Sequence, residues 1–331
     1  MRPSSAHGGA RVTAVIPTRD RPELVARAVA SALAQTWDDL EVIVVVDGPD
    51  PATVTRLGAI GDGRLRVHLL ATRGGPGAAR NAGVVAARGE WIAFLDDDDE
   101  WLPKKLAIQM DDALRARAEI EHPVVSCRAL RRTIGPDSDS IWPRRMPRAD
   151  EPLGDYLLRR QSILGDDGGL VVTSAILTRR ALLREVAFDA DLERHEDLDW
   201  LLRVGRRDDV RIRFVTTSDP LVIWHDDPGR ERITSRPDWR ASLAWIDRRR
   251  DLVTSEAYAS FVLAWIGAKA AAASERRALP LLIRQAYRHG APSARDVVVA
   301  LGCCAMPASL RRCVVSLVRS PGHDATVRGA R

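Results

Sequence analysis

The sequence predicts an α/β architecture in which a largely parallel sheet is covered by helices, and three observations lead there. Short, nearly all-apolar runs recur at residues 12–16, 41–46 and 91–95, the pattern of strands buried on both faces. Segments with helical spacing of apolar residues separate or follow them. Each of the first two runs is stopped by proline or by Asp-Gly-Pro, and the third runs into a block of aspartates at what would be the ligand-bearing edge of an open sheet.

In chain order, Val12-Thr13-Ala14-Val15-Ile16 reads as the first strand, stopped by Pro17. Residues 22–36 read as a helix, with Pro22 in its first turn and Leu24, Val25, Ala28, Val29, Ala32 and Leu33 on one face. The second strand, 41–46, ends at Asp47-Gly48-Pro49 and completes a βαβ unit. A third strand spans 65–70 and leads through the glycine-rich Gly74–Gly83 into a small-residue helix that closes near Arg88-Gly89. Trp91–Leu95 is the next strand, and Pro103 opens an amphipathic helix carrying Leu106, Ile108 and Met110. Residues 133–155, with five prolines and glycines among charges, read as an irregular surface excursion. A central strand is expected over 170–178 and a helix over 197–206.

Asp96, Asp97, Asp98 and Asp99 follow the strand at 91–95 directly. Four like charges at the mouth of a buried strand repel one another unless a cation faces them. A hard divalent ion, Mg²⁺ or Mn²⁺, held by one or two carboxylates and by phosphate oxygens would meet that need and would point to nucleotide chemistry. The plain alternative is a solvated acidic turn.

The order VIPTRDRPELVARAVASALAQTW, EVIVVVDGPD, GGPGAARNAGVVAARGEWIAFLDDDDEWLPKKL resembles the nucleotide-sugar half of an inverting family-2 glycosyltransferase with the GT-A fold. The stretch LVVTSAILTRRALLREVAFDADLERHEDLDWLLRV resembles the acceptor half. The resemblance covers about residues 10–235. It implies a Rossmann-like mixed sheet flanked by helices over residues 1–235, with the nucleotide-sugar half at about 10–110 and the acceptor half at 111–235, followed by a basic helical C-terminal extension over 236–331.

The same resemblance implies roles for particular residues. Asp197 would be the general base that takes the proton of the acceptor hydroxyl, with Glu196 beside it; alone, the pair would read as acids favoured at a helix start. Pro17, Thr18 and Arg19 would wrap the nucleotide base and Asp47 would accept from its N–H, unless Asp47 serves an Asx turn. Arg80 matches the family's Arg-Asn pair near the nucleotide, a surface arginine being the alternative. The Asp-X-Asp motif fits two frames, 96–98 and 97–99. The first is preferred: Asp96 contacts the ribose, Asp98 holds the metal, and Asp97 between them counts with the nucleotide-sugar-binding residues. His225, after the last strand, is either a further metal ligand or a hydrogen-bonded side chain. Apart from the resemblance, the basic and hydroxyl run Arg230, Arg232, Thr234, Ser235 and Arg236 reads as a lid that would close over the diphosphate.

The expected reaction is transfer of a sugar from a nucleotide diphosphate, foremost a UDP-sugar, to an acceptor hydroxyl in polysaccharide or glycoconjugate biosynthesis. A sugar-phosphate nucleotidyltransferase is disfavoured because Ile16-Pro17-Thr18-Arg19-Asp20 is not a glycine-rich phosphate loop. A non-catalytic sugar-nucleotide-binding protein would have no use for both acidic motifs.

Composition bounds the remainder. The 331 residues are 45% hydrophobic and 29% charged, enough for a substantial core. Cys127, Cys303, Cys304 and Cys313 show no paired metal spacing, and a reducing cytoplasm fits them. No apolar segment reaches the roughly 20 residues of a membrane span. Residues 236–331 carry 16 Lys and Arg against 7 Asp and Glu, whereas the rest carries 34 against 38. With no aromatic-basic interleaving, nucleic acid is not the expected partner. Amphipathic helices at 279–287 and 296–318 would instead give either peripheral contact with the inner face of a membrane or an ordinary packed extension. Oligomeric state is not legible.

Overall fold

The computed structural model describes residues 11–133, 139–163, 169–226 and 238–305. In chain order the elements are β1 (Val12–Thr18), α1 (Pro22–Leu33), β2 (Leu40–Val46), α2 (Pro51–Gly58), β3 (Leu65–Leu69), α3 (Gly75–Ala86), β4 (Trp91–Phe94), β5 (Glu100–Trp101) and α4 (Lys105–Ala116). They continue with β6 (His122–Ser126), β7 (Ala129–Arg132), β8 (Ser140–Trp142), α5 (Leu153–Leu158), β9 (Leu177–Arg179), α6 (Arg180–Glu185), α7 (Glu196–Val204), β10 (Val210–Phe214) and β11 (Val222–His225). Five helices close the described chain: α8 (Trp239–Arg248), α9 (Ser255–Ser260), α10 (Gly267–Ala272), α11 (Leu279–His289) and α12 (Ala294–Ala305). A π turn over Phe261–Ile266 joins α9 to α10.

The chain divides into two compact units, Met1–Met146 with Leu170–Ile233, and Pro147–Gly169 with Thr234–Arg331. In the first, seven strands form a mixed sheet in the order β10-β6-β9-β4-β1-β2-β3, and only β9 runs against its neighbours. Every residue of β2 and β4 is buried. Each fully buried Val, Ile or Phe there contributes about 1.5–3 kcal/mol relative to exposure, which is what pins the strands the apolar runs predict. The helix α1 lays Val25, Ala28, Val29 and Ala32 against them. On the other side α3 approaches β1 so closely that a Cβ at Gly83 would stand 2.3 Å from Val15 Cγ1, so the small-residue composition of this helix is a packing requirement.

A second, four-stranded sheet in the order β5-β11-β7-β8 begins immediately after the aspartate run. The antiparallel pairing of β11 with β5 brings His225 to the aspartates from more than a hundred residues away.

Three local expectations change. The first strand continues through Pro17 to Thr18, because Val15 O accepts from Leu95 N and the odd-numbered backbone groups of β1 therefore face β4, whose last pair is Phe94 with Val15. The missing N–H of Pro17 falls beyond that pair and costs no ladder bond. The strand expected over 170–178 is a single 3₁₀ turn at Thr173–Ala175 followed by the three residues of β9. Its hydroxyls are bonded to carboxylates instead of lying along a ladder. The segment 133–155 holds a short strand, β8, and the start of α5.

The second unit is helical. Residues 147–169 cluster with the C-terminal helices rather than with the acceptor half in which the sequence reading placed them, and particular bonds hold them there. Ser260 Oγ accepts from Arg160 N at 2.9 Å, Thr254 Oγ1 donates to Asp155 Oδ1 at 2.5 Å, and Arg295 donates to Arg160 O at 3.0 Å. Around Phe261, Trp245 and Tyr258 this unit has its own apolar core. The amphipathic helix expected over 279–287 is α11. The one expected over 296–318 is described only to Ala305, as α12, and residues 306–318 lie outside the described residues.

Candidate active site

The aspartate run leaves the C-terminal end of β4 in alternating directions. Asp97 and Asp99 are buried, whereas Asp96 and Asp98 keep access to solvent. Asp97 accepts from Thr18 Oγ1 at 2.8 Å and from Arg21 at 2.9 Å. Burial pushes its carboxyl up to about 6 against the pull of Arg21, with Asp98 adding repulsion. Asp99 accepts from Ser174 Oγ at 2.6 Å and from the backbone N–H of His225 at 3.2 Å, and burial together with Asp96 and Asp98 holds its carboxyl well above the usual range. These two side chains tie the run to β1, to the 173–175 turn and to β11. The outward pair is Asp96, which accepts from Arg80 at 2.8 Å, and Asp98, whose carboxylate lies 3.6 Å from Arg21.

Arg80 joins the two acidic motifs. It is 4% exposed, and its guanidinium reaches Asp96 at 2.8 Å and Glu196 at 2.7 Å, with the Phe188 ring beneath it at 5.6 Å. Opposite charges on both sides raise its pKa further. The surface-arginine reading is therefore replaced by a buried bridge. Glu196, the first residue of α7, is pushed up to about 7 by burial and by the neighbouring Asp197, against Arg80. Asp197 is only half-buried; its Oδ2 accepts from Thr173 Oγ1 at 3.1 Å and its Oδ1 from Leu198 N at 2.8 Å. Immediately before the pair, His195 adopts a left-handed conformation (φ 63°), a costly backbone state for a side-chain-bearing residue and one that recurs at functional sites.

At the ends of β1 and β2, Asp47 accepts from Gly74 N at 2.7 Å and Gly75 N at 3.0 Å, so it caps the N-terminus of α3. An Asx turn at Asp47 is ruled out, since the N–H it would need two residues on belongs to Pro49, which has none. Beside it, Thr18 is committed to Asp97, Pro17 is half-buried and Arg19 is exposed. Asp20, in the left-handed region at φ 54°, donates its N–H to Asp50, the N-cap of α2. His225 Nε2 lies 2.7 Å from Glu100 Oε1, so its ring is directed to that carboxylate. The lid expected at Arg230, Arg232, Thr234, Ser235 and Arg236 lies outside the described residues.

Asp96 and Asp98 offer hard oxygen donors, which suits Mg²⁺ or Mn²⁺ completed by phosphate oxygens. Among the described residues no third His, Cys, Asp or Glu gathers with them around a common point. Arg21, Thr173 and Ser174 were not singled out from sequence. The one signal available was the pair of hydroxyls interrupting an apolar run at Val171–Ile176.

The family model described as glycosyl transferase family 2 matches residues 13–186, just over half of the chain. The succinoglycan biosynthesis protein ExoO of Rhizobium meliloti is 42% identical over 120 residues, 36% of this chain and 34% of that protein, so the match spans about a third of its length. The amylovoran biosynthesis glycosyltransferase AmsB of Erwinia amylovora is 25% identical over 256 residues, 74% of this chain and 81% of that protein. Among solved structures, S. aureus TarS 1-349 in complex with UDP-GlcNAc superposes with a TM-score of 0.54 at 16% identity, covering 91% of this chain and 92% of that one. At that identity the likeness is one of fold.

Proposed function

Because the chain belongs to glycosyl transferase family 2, we propose that it transfers a sugar from a nucleoside diphosphate, UDP before others, to an acceptor hydroxyl with inversion at the anomeric carbon. The observation that carries this reading is the Arg80 bridge, which gathers the carboxylates after β4 and those at the start of α7 into one cluster. A relative solved with UDP-GlcNAc supports the choice of donor, and relatives named for succinoglycan and amylovoran biosynthesis support a polysaccharide or glycoconjugate acceptor.

In this reading the ends of β1 and β2, with Pro17, Thr18, Arg19 and Asp47, receive the base, and Asp96 the ribose. The alternation of burial supports the 96–98 frame, with Asp98 facing the diphosphate and Asp97 anchoring the run from within. A divalent ion bound at Asp98 would neutralise charge developing on the leaving diphosphate. His225 is the further candidate for that donor set, and the contact of its Nε2 with Glu100 is of the kind that orients a ligating imidazole. Asp197 takes the acceptor's proton. Thr173 fixes one of its oxygens and the N–H of Leu198 the other, so the carboxylate is oriented before the acceptor arrives. Glu196 holds Arg80 beside Asp197.

We also propose that the protein works at the inner face of a membrane. On α11 the exposed Leu281 and Tyr287 lie at helical spacing with Arg284 and Arg288, and Arg277 precedes them. An apolar and cationic stripe of this kind suits an anionic lipid surface. No helix among the described residues is long and apolar enough to cross a membrane.

The test of the central reading is thermal stability in the presence of UDP-, GDP-, dTDP- and CDP-linked sugars, each with Mn²⁺ and with chelator, followed by detection of released nucleoside diphosphate. One donor should stabilise in a metal-dependent way. Stabilisation by none of them would sink the proposal.

A further inference from the structure

We propose that Glu121, His122 and Asp209, with Glu185 beside them, form a second cation site, for a zinc-like divalent ion, at the end of the sheet opposite the aspartate run. The parallel register builds it. His122 pairs with Val210 at the start of β6 and β10, and His122 N donates to Asp209 O at 2.9 Å, so Glu121 and Asp209 emerge side by side. Glu185 arrives from the last residue of α6.

The independent observation is the imidazole. His122 is 1% exposed, and its Nε2 points into three carboxylates at nearly equal distances: 3.8 Å from Glu185, 3.9 Å from Glu121 and 3.9 Å from Asp209. These are too long for hydrogen bonds. Its Nδ1 is buried without a partner as well, so no protein group orients the ring. The buried Nδ1 forfeits a hydrogen bond that costs on the order of 1–3 kcal/mol to leave unmade.

An ion at the centre accounts for that spacing. Zinc bonds of about 2.0–2.2 Å hold tetrahedral neighbours roughly 3.4 Å apart, and ligand atoms of Glu121, His122 and Asp209 already lie within 4.8 Å of one another, with Glu185 3.8 Å from Nε2 beside them. Charge agrees. Arg207, 2.7 Å from Glu185 and 2.6 Å from Asp209, offsets one of the three negative charges and leaves two. One nitrogen among oxygens favours zinc over magnesium. The ion would cross-link the edge strand β10 to β6 and α6.

Isothermal titration of the full chain with Zn²⁺, without nucleotide, tests this, and Co²⁺ reports geometry through its visible absorption. One ion per chain should bind, with tetrahedral cobalt bands. Glu121→Gln, at a side chain 66% exposed and so without risk to folding, should weaken binding at least tenfold, as should Asp209→Asn. Asp98→Asn should leave zinc affinity unchanged. Absence of zinc binding, or zinc affinity indifferent to Glu121→Gln and Asp209→Asn, would overturn the proposal.

Discussion

Glu41 and the aspartates after β4 sit at opposite ends of one sheet, and the contrast shows what decides the fate of a buried carboxylate. Glu41, at the start of β2, is 6% exposed, yet its carboxyl is held below the usual range. Burial alone would raise it, but Thr13 Oγ1 at 2.6 Å, Arg88 N at 2.5 Å, Gly89 N and Arg66 all donate to it. At the other end Asp97 and Asp99 rise, because burial outweighs the donors they have and the neighbouring acids add to it. One end is saturated with donors and structural. The other carries surplus negative charge, which is the condition for receiving a cation and a phosphorylated ligand.

Four substitutions break or sharpen that contrast. The largest effect should be at Asp197. If it is the base, Asp197→Asn keeps shape but cannot take a proton, so turnover should fall by about 10²–10⁴-fold with donor affinity nearly constant. Calorimetric donor titration beside nucleoside diphosphate release checks this, and near-parental turnover would move the role elsewhere.

The second is a pH effect. The Asp97 carboxyl is raised from 3.8 to about 6, so the folded protein binds this proton more tightly than the unfolded chain does. The stability it contributes is present below pH 4 and lost as pH rises to about 6, a swing of roughly 3 kcal/mol. Urea unfolding from pH 4 to 7 should show the parent losing stability relative to Asp97→Asn over that window. A pH-independent difference would contradict the assigned crowding.

Third, Asp98→Ala should abolish metal-dependent stabilisation by the nucleotide, a loss of about 2.7 kcal/mol when ligand is held at a hundred times its dissociation constant. Unchanged nucleotide affinity in thermal-shift titrations would transfer the metal to another aspartate. The smallest effect belongs to the saturated end. Glu41→Gln should cost about 2 kcal/mol at pH 7 by leaving donors unmatched, while nucleotide affinity stays at the parental value. Here the sign is opposite to Asp97: the contribution of Glu41 is present above pH 4.5 and lost as pH falls.

The parts of the molecule legible in the sequence were those fixed by neighbours along the chain. β1, β2, β4 and α1 announce themselves because every residue, or every third and fourth, must be apolar, and proline or glycine stops them. β10, Val-Arg-Ile-Arg-Phe, carries arginines on a half-buried edge and gives no such run. The two acidic motifs could be read, but not which aspartates face inward, since that depends on Thr18 and Ser174, 79 and 75 positions away. Lys105 was equally hidden. It looks like a surface charge beside Lys104, yet it is fully buried, with Nζ on Gln109 at 2.6 Å and 4.1 Å above the Trp101 ring, and burial lowers it to about 8.

The pairing of Pro147–Gly169 with the C-terminal helices has a consequence for the order of events during synthesis. Asp155 and Arg160 leave the ribosome about a hundred residues before Thr254 and Ser260, their partners, and Arg160 waits longer still for Arg295. The nascent chain must carry α5 unpartnered, with Tyr156 and Leu158 exposed, until the last helices are made. A chain shortened at residue 235 never resolves that wait, so its outcome should be aggregation or chaperone capture, whatever the state of the sheet that precedes it.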